Sequence, residues 1–79
     1  MRERILELWT IFFDPSDFPG KYVVRKFYVE RGEPAPAVVP DDTVIVTDTL
    51  AEARANVPQG TVNLGRYAED DSKILETWV

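Results

Sequence analysis

Two stretches decide how this chain folds: Leu6-Glu7-Leu8-Trp9-Thr10-Ile11-Phe12-Phe13 and Lys21-Tyr22-Val23-Val24-Arg25-Lys26-Phe27-Tyr28-Val29. Asp14-Pro15-Ser16-Asp17-Phe18-Pro19-Gly20 joins them. In the first stretch Ile5, Trp9, Ile11 and Phe13 fall on one side and Leu6, Leu8 and Phe12 on the other. A strand apolar on both faces belongs in the middle of a sheet or under cover on both sides. Ile5 and Leu8, three apart, leave a helix open for Arg2–Leu8. The β-branched and aromatic run Thr10–Phe13 favours strand. The second stretch alternates: Val23, Arg25, Phe27 and Val29 point one way, and Tyr22, Val24, Lys26, Tyr28 and Glu30 the other. Two prolines, a glycine and two aspartates between them mark a loop. An antiparallel hairpin follows.

Downstream, Arg31–Asp42 holds Gly32, Pro34, Pro36 and Pro40. It reads as an irregular and mobile surface connection. Thr43–Thr47 is a short β-branched run, read as a third strand. Thr49-Leu50-Ala51-Glu52 fits a capping box, with Thr49 as N-cap and Glu52 reaching back to its amide. Leu50, Ala53 and Val57 share one face of a helix of about two turns, stopped by Pro58 and Gly60. Thr61–Leu64 reads as a brief strand or extended arm, Tyr67–Ser72 as an acidic loop, and Lys73–Val79 as a last strand. The expectation is a single α+β domain over 1–79, ordered β-β-β-α-(β)-β, with a mostly antiparallel sheet of four to five strands and the short helix on one face. The sheet interior is expected from the first two strands and Lys73–Val79.

Composition narrows the chemistry. At 79 residues and 44% apolar content, with two tryptophans, three tyrosines and four phenylalanines, the chain is a folded globule near the lower size limit for one core. It has no cysteine and no histidine. Disulfides, thiolate nucleophiles, sulfur-ligated metals and imidazole proton transfer are therefore excluded. No apolar run is long enough to span a membrane, so a soluble cytoplasmic protein is expected. The net charge of −5 is uneven: residues 1–31 carry six Lys/Arg against five Asp/Glu, residues 32–79 three against nine.

The chain resembles short uncharacterised proteins of bacteria and their phages. The likeness lies in Trp9-Thr10-Ile11-Phe12, the P-x-D-x-P turn at Pro15–Pro19, Tyr22–Arg25, Thr49–Arg54 and the ending Glu76-Thr77-Trp78. It implies no activity and no catalytic residues.

Three groups of residues have the composition of a site. Asp14/Asp17, Asp41/Asp42 and Asp70/Asp71 pair carboxylates as cation sites do, but lack D-x-D-x-D-G spacing and sit where aspartate forms turns. Lys21, Arg25, Lys26 and Arg31 interleave with Tyr22, Phe27 and Tyr28, as in a strand that binds nucleic acid. Alternation splits that set between two faces, and ion pairs to Glu7 or Glu76 account for it as well. Ser16 and Ser72 have no activating partner. The sequence thus points to a non-enzymatic module that binds protein without cofactor or metal and self-associates, most simply as a homodimer. Leu8, Phe12, Tyr22, Lys26 and Tyr28 are its expected contact residues. A nucleic-acid-associated accessory protein using the basic second strand is the alternative, and no membrane partner is expected.

Overall fold

A computed structural model describes residues 3–66 and 71–79. Four antiparallel strands form one open sheet, β1 (Arg4–Phe13), β2 (Tyr22–Glu30), β3 (Ala37–Thr47) and β4 (Ile74–Trp78), in the spatial order β3-β2-β1-β4. One helix, α1 (Leu50–Ala55), packs on one face. The fold is the expected small α+β one. No helix among the described residues is long and apolar enough to cross a membrane.

The hairpin is in the register that its alternation demands: Phe13 faces Tyr22, Ile11 faces Val24 and Leu8 faces Phe27. Asp14 opens the connecting loop with φ of 55° and Gly20 closes it with φ of 73°. Aspartate tolerates that left-handed conformation when its side chain bonds locally. Here Asp14 Oδ1 accepts from Gly20 N at 2.7 Å. From Arg4 the N-terminal segment is strand, which settles the choice left open there; Arg2 lies outside the described residues.

Two expectations need correction. Arg31–Asp42 is not one irregular connection, because Ala37–Asp42 already belongs to β3 and pairs with β2 through Val29–Val38 and Phe27–Pro40. Pro40 is tolerated because β3 is an edge strand and the register slips beside it. Arg25 pairs with Val44 and Phe27 with Pro40, so Asp41, Asp42 and Thr43 together oppose Lys26. Lys73–Val79 also departs from expectation. β4 lies at an edge of the four-stranded sheet, and β1 and β2 form the interior.

The outer side of β4 is nonetheless paired. The segment 62–65 runs beside it as an extended arm, with Val62 N donating to Val79 O at 2.7 Å and Leu64 N to Thr77 O at 2.8 Å. Thr77 N and Val79 N bond back to Gly65 O and Val62 O. The arm makes a fifth lane of the sheet. Of the acidic loop Tyr67–Ser72, residues 67–70 lie outside the described residues.

Helix α1 is only six residues long, too short to hold without tertiary support. Thr49 Oγ1 accepts from Glu52 N at 3.1 Å and donates to Glu52 Oε1 at 3.1 Å. Half of the expected box is therefore present, with the glutamate meeting the threonine hydroxyl rather than its backbone amide. Ala53 is fully buried and, with Val57, joins Ile11 and Val24 in the core; Trp9, Tyr22, Ile45, Leu50, Leu75 and Trp78 pack around them.

Electrostatics complete the attachment. Glu76, opposite Ile11 on β4 and 7% exposed, accepts from Arg54 Nε at 3.0 Å, from Arg54 Nη2, from Asn63 Nδ2 at 3.1 Å and from Trp78 Nε1 at 3.1 Å. Glu76 thus bonds Arg54, rather than the strand-two cations assigned to it from sequence. Hydrogen bonds from Arg54, ahead of those from Trp78 and Asn63, hold its carboxyl below the usual glutamate range despite burial.

Two measurements test this account. Thr49→Ala is expected to cost on the order of 1 kcal/mol through loss of the cap, read as a lower denaturation midpoint. Glu76→Gln is expected to cost about 1–2 kcal/mol near neutral pH, moderated because Arg54 is half exposed. A carboxyl whose folded pKa lies below its ordinary 4.5 stabilises the fold above that pH. The gap between wild type and variant should therefore be full above 4.5 and close as pH falls through the lower folded value, in denaturation curves taken across the acid range.

Candidate interaction face

Residues paired across adjacent strands share a face of the sheet. Trp9, Ile11 and Phe13 with Lys26, Val24 and Tyr22 lie on the side that carries α1. Leu8, Thr10 and Phe12 with Phe27, Arg25 and Val23 lie on the other. β3 extends this second face with Val38, Val44 and Val46, registered against Val29, Arg25 and Val23. β4 extends it with Thr77 and Ile74, registered against Thr10 and Phe12. No helix covers it.

The two faces are unequally polar, and in an unexpected direction. The covered face holds Lys26, Tyr28, Glu7, Asp41 and Glu76 beside its apolar core. Lys26 Nζ lies 4.7 Å from the Tyr28 ring centroid, 5.1 Å from that of Trp9 and 3.6 Å from Glu7 Oε1. A hydrogen bond with Tyr28, then the nearby Glu7 and Asp41 charges, raise the Lys26 pKa, so the ammonium stays charged. Arg4 Cζ lies 3.8 Å from the centroid of the same Tyr28 ring. The open face is aliphatic and aromatic almost throughout. On it Leu6 is 46% exposed, Val38 62%, Val46 42% and Leu64 45%.

A groove of about 340 Å³ crosses this face, running from Val38 on β3 past Phe27, Leu8 and Thr10 to Ile74 and Leu64. Val38 and Leu64 belong to opposite outer lanes, so the groove spans the width of the sheet. A second recess, about 460 Å³, lies at the slip in β1 between Arg4, Leu6, Glu7 and Tyr28. Its charged groups are already engaged, Arg4 with the Tyr28 ring and Glu7 with Lys26. The apolar groove is the better candidate for a binding surface.

Of the five contact residues expected from sequence, the fold keeps two together. Leu8 and Phe12 lie on the open face. Tyr22, Lys26 and Tyr28 lie on the helix side, where Tyr22 packs against the core, Tyr28 is 9% exposed and Lys26 is held between aromatic rings. Sequence reasoning missed Phe27, Val38, Val44, Val46 and Leu64. The valines carried a signal, an even spacing along β3, that was hidden by reading Arg31–Asp42 as a loop.

The cations of the second strand are each partnered. Lys21 pairs with Asp48, Arg25 with Asp17, Lys26 with Glu7 and Arg31 with Glu3. Asp14 and Asp17 lie in the connecting loop and Asp71, before β4, accepts from Lys73 N at 2.9 Å; Asp41 and Asp42, expected in a turn, lie instead within β3, where Asp41 accepts from Thr43 N at 3.1 Å at the register slip. Hydrogen bonds from Gly20 and Lys73 keep the Asp14 carboxyl below its ordinary range. Among the described residues, no three acidic side chains gather as metal ligands would; Asp70 lies outside them.

No family model matches this chain, and neither a curated protein nor a solved structure is found that does.

The two faces should respond differently to substitution. In dilute protein, Val38→Asp is expected to shift stability by less than about 1 kcal/mol, since its side chain is largely in water already. Ile11→Ala, fully buried beneath the helix, should cost about 2–5 kcal/mol. Urea denaturation of both variants checks the assignment of faces.

Proposed function

We propose that this chain is a small non-enzymatic module that binds protein through the open face of its sheet. One observation carries the reading: the face without a helix is the more apolar of the two. Water contact along Leu6, Val38, Val46 and Leu64 is a cost that the fold leaves in place and a partner surface relieves. The sequence supports the same reading, since a chain without histidine or cysteine lacks the usual groups for proton transfer and thiolate chemistry. The ion pairs along β2 weigh against the nucleic-acid alternative, because phosphate must displace a carboxylate from each cation to bind there.

Tagged wild-type protein, expressed in its native host beside an untagged copy, is the test. It is expected to retain a polypeptide, either the untagged copy or another protein, that tagged Val38→Asp and Val46→Asp variants of wild-type stability do not retain. Identical retention by wild type and variants would remove the open face from the reading.

A further inference from the structure

We infer that the open face takes a cationic amphipathic α-helix of about 16 residues, supplied by another polypeptide and laid diagonally along the apolar groove. The inference rests on the protein-binding reading above and names its partner.

The groove sets the length. Val38 is registered through Val29 with Leu6, and Ile74 with Phe12. The groove therefore runs obliquely, over the three lane spacings from β3 to β4 and six residues along β1. At about 4.8 Å per lane and about 3.3 Å per residue, that is roughly 24 Å from end to end. A helix rising about 1.5 Å per residue covers this in about 16 residues.

Backbone chemistry selects a helix. Strand addition has no regular edge to use, since β4 has its outer side bonded to the 62–65 arm, while Pro40 and the slip at Asp41–Thr43 interrupt β3. On the face itself the groove is lined by aliphatic and aromatic side chains, with Thr10 and Thr77 as its polar residues. Thr10 is itself only 5% exposed. An extended peptide lying obliquely there would press its N–H and C=O groups against carbon with nothing to bond. A helix satisfies those groups within itself and offers side chains alone.

Charge selects a cationic helix. Arg25, the cation of this face, is held by Asp17. Asp42 stands on the same side of β3, in phase with the exposed Val38, Val44 and Val46. Glu33 lies in the connection between β2 and β3, at the Val38 end of the groove. Neither carboxylate enters an ion pair among the described residues. The uncompensated charge beside the groove is thus negative, as is the chain as a whole at −5. Lysines or arginines flanking the apolar stripe of an incoming helix complement it.

Three synthetic peptides of that length test the arrangement, each titrated against the full chain at about 0.15 M salt so that long-range attraction is screened. The first is built of leucine and lysine with the leucines recurring every three and four residues. The second has the same composition in strict alternation, and the third replaces every lysine of the first by glutamate. The first should bind with a Kd of about 1–100 µM and gain helical circular dichroism on mixing. It should shift the NMR resonances of Phe27, Val38 and Leu64 rather than those of Ala53 and Val57. The other two should bind about tenfold more weakly or worse. Val38→Asp and Leu64→Asp, at positions 62% and 45% exposed, should keep the fold and weaken the first peptide about tenfold; Asp42→Lys should weaken it severalfold. Equal binding of the first two peptides would mean charge attraction without a groove and overturns the inference. So does a first peptide that fails to bind, or one indifferent to Val38→Asp and Leu64→Asp. A wild type that dimerises through Val38 in sedimentation gives the face to a second copy and overturns it as well. If the peptide fails while host protein is still retained in a Val38- and Val46-dependent way, this inference falls and the protein-binding reading stands.

Discussion

Glu76 stands opposite Ile11, on the side of the sheet where the core is built, and a carboxylate there is stable only if its oxygens are fully engaged. Four hydrogen bonds engage them, and they come from different parts of the chain: Arg54 on the helix, Asn63 on the arm and Trp78 on β4. The six-residue helix is too short to persist by itself, and the arm is a single line of backbone bonds. Glu76 fastens both to the edge of the sheet. The pair differs from an ordinary surface ion pair because the carboxylate is almost wholly buried while the guanidinium keeps half its surface in water. Desolvation falls on one partner and is offset by four donors.

Fastening helix, arm and strand at one point has a consequence for the rest of the fold. Among the described residues the one helix packs on one face, and that face also receives most of the polar side chains. Lys26 lies across two aromatic rings and Arg4 stacks on one of them. Their aliphatic stems add apolar contact on this side while the Lys26 ammonium stays paired with Glu7. The opposite face receives valines, leucines and phenylalanines without a helix above them, and while Val23 and Thr10 are buried there, Leu6, Val38, Val44 and Val46 stay exposed. An α+β sheet of two layers normally buries its more apolar side. Here the order is reversed, and the partner proposed above would bury the more apolar side.

Much of the fold was legible because strand alternation and helix capping are local. The hairpin register, the two faces of β2 and the N-cap at Thr49 all follow from spacings of two to four residues. Two things were not legible, for separate physical reasons. Pro40 disguised β3, since proline is read as a breaker unless its strand is known to be at an edge, and edge position is a property of the assembled sheet. The partner of Glu76 was equally hidden. Arg54 lies on a helix whose placement over β4 depends on the core formed by Ile11, Val24, Ala53 and Val57. The site suffered most from these two gaps. Tyr22 and Tyr28 looked exposed while the helix was the only cover in view, yet Phe13 packs on Tyr22, and Lys26 and Arg4 lie over Tyr28. The valines of β3, unread as a strand, are the ones left in water.

Edge treatment and face composition together narrow what the open side is for. Sheets that recruit a partner strand keep a long, regular edge with free backbone groups. This sheet does the reverse: it spends Val62–Gly65 on pairing the edge of β4 and places a proline and an irregular register in the middle of β3. Backbone recognition is thereby blocked on both sides, while side-chain recognition over Leu8, Phe27, Val38 and Leu64 is left available. A surface of that kind has little to offer a charged ligand or a nucleic acid. Shape and apolar contact are what it presents.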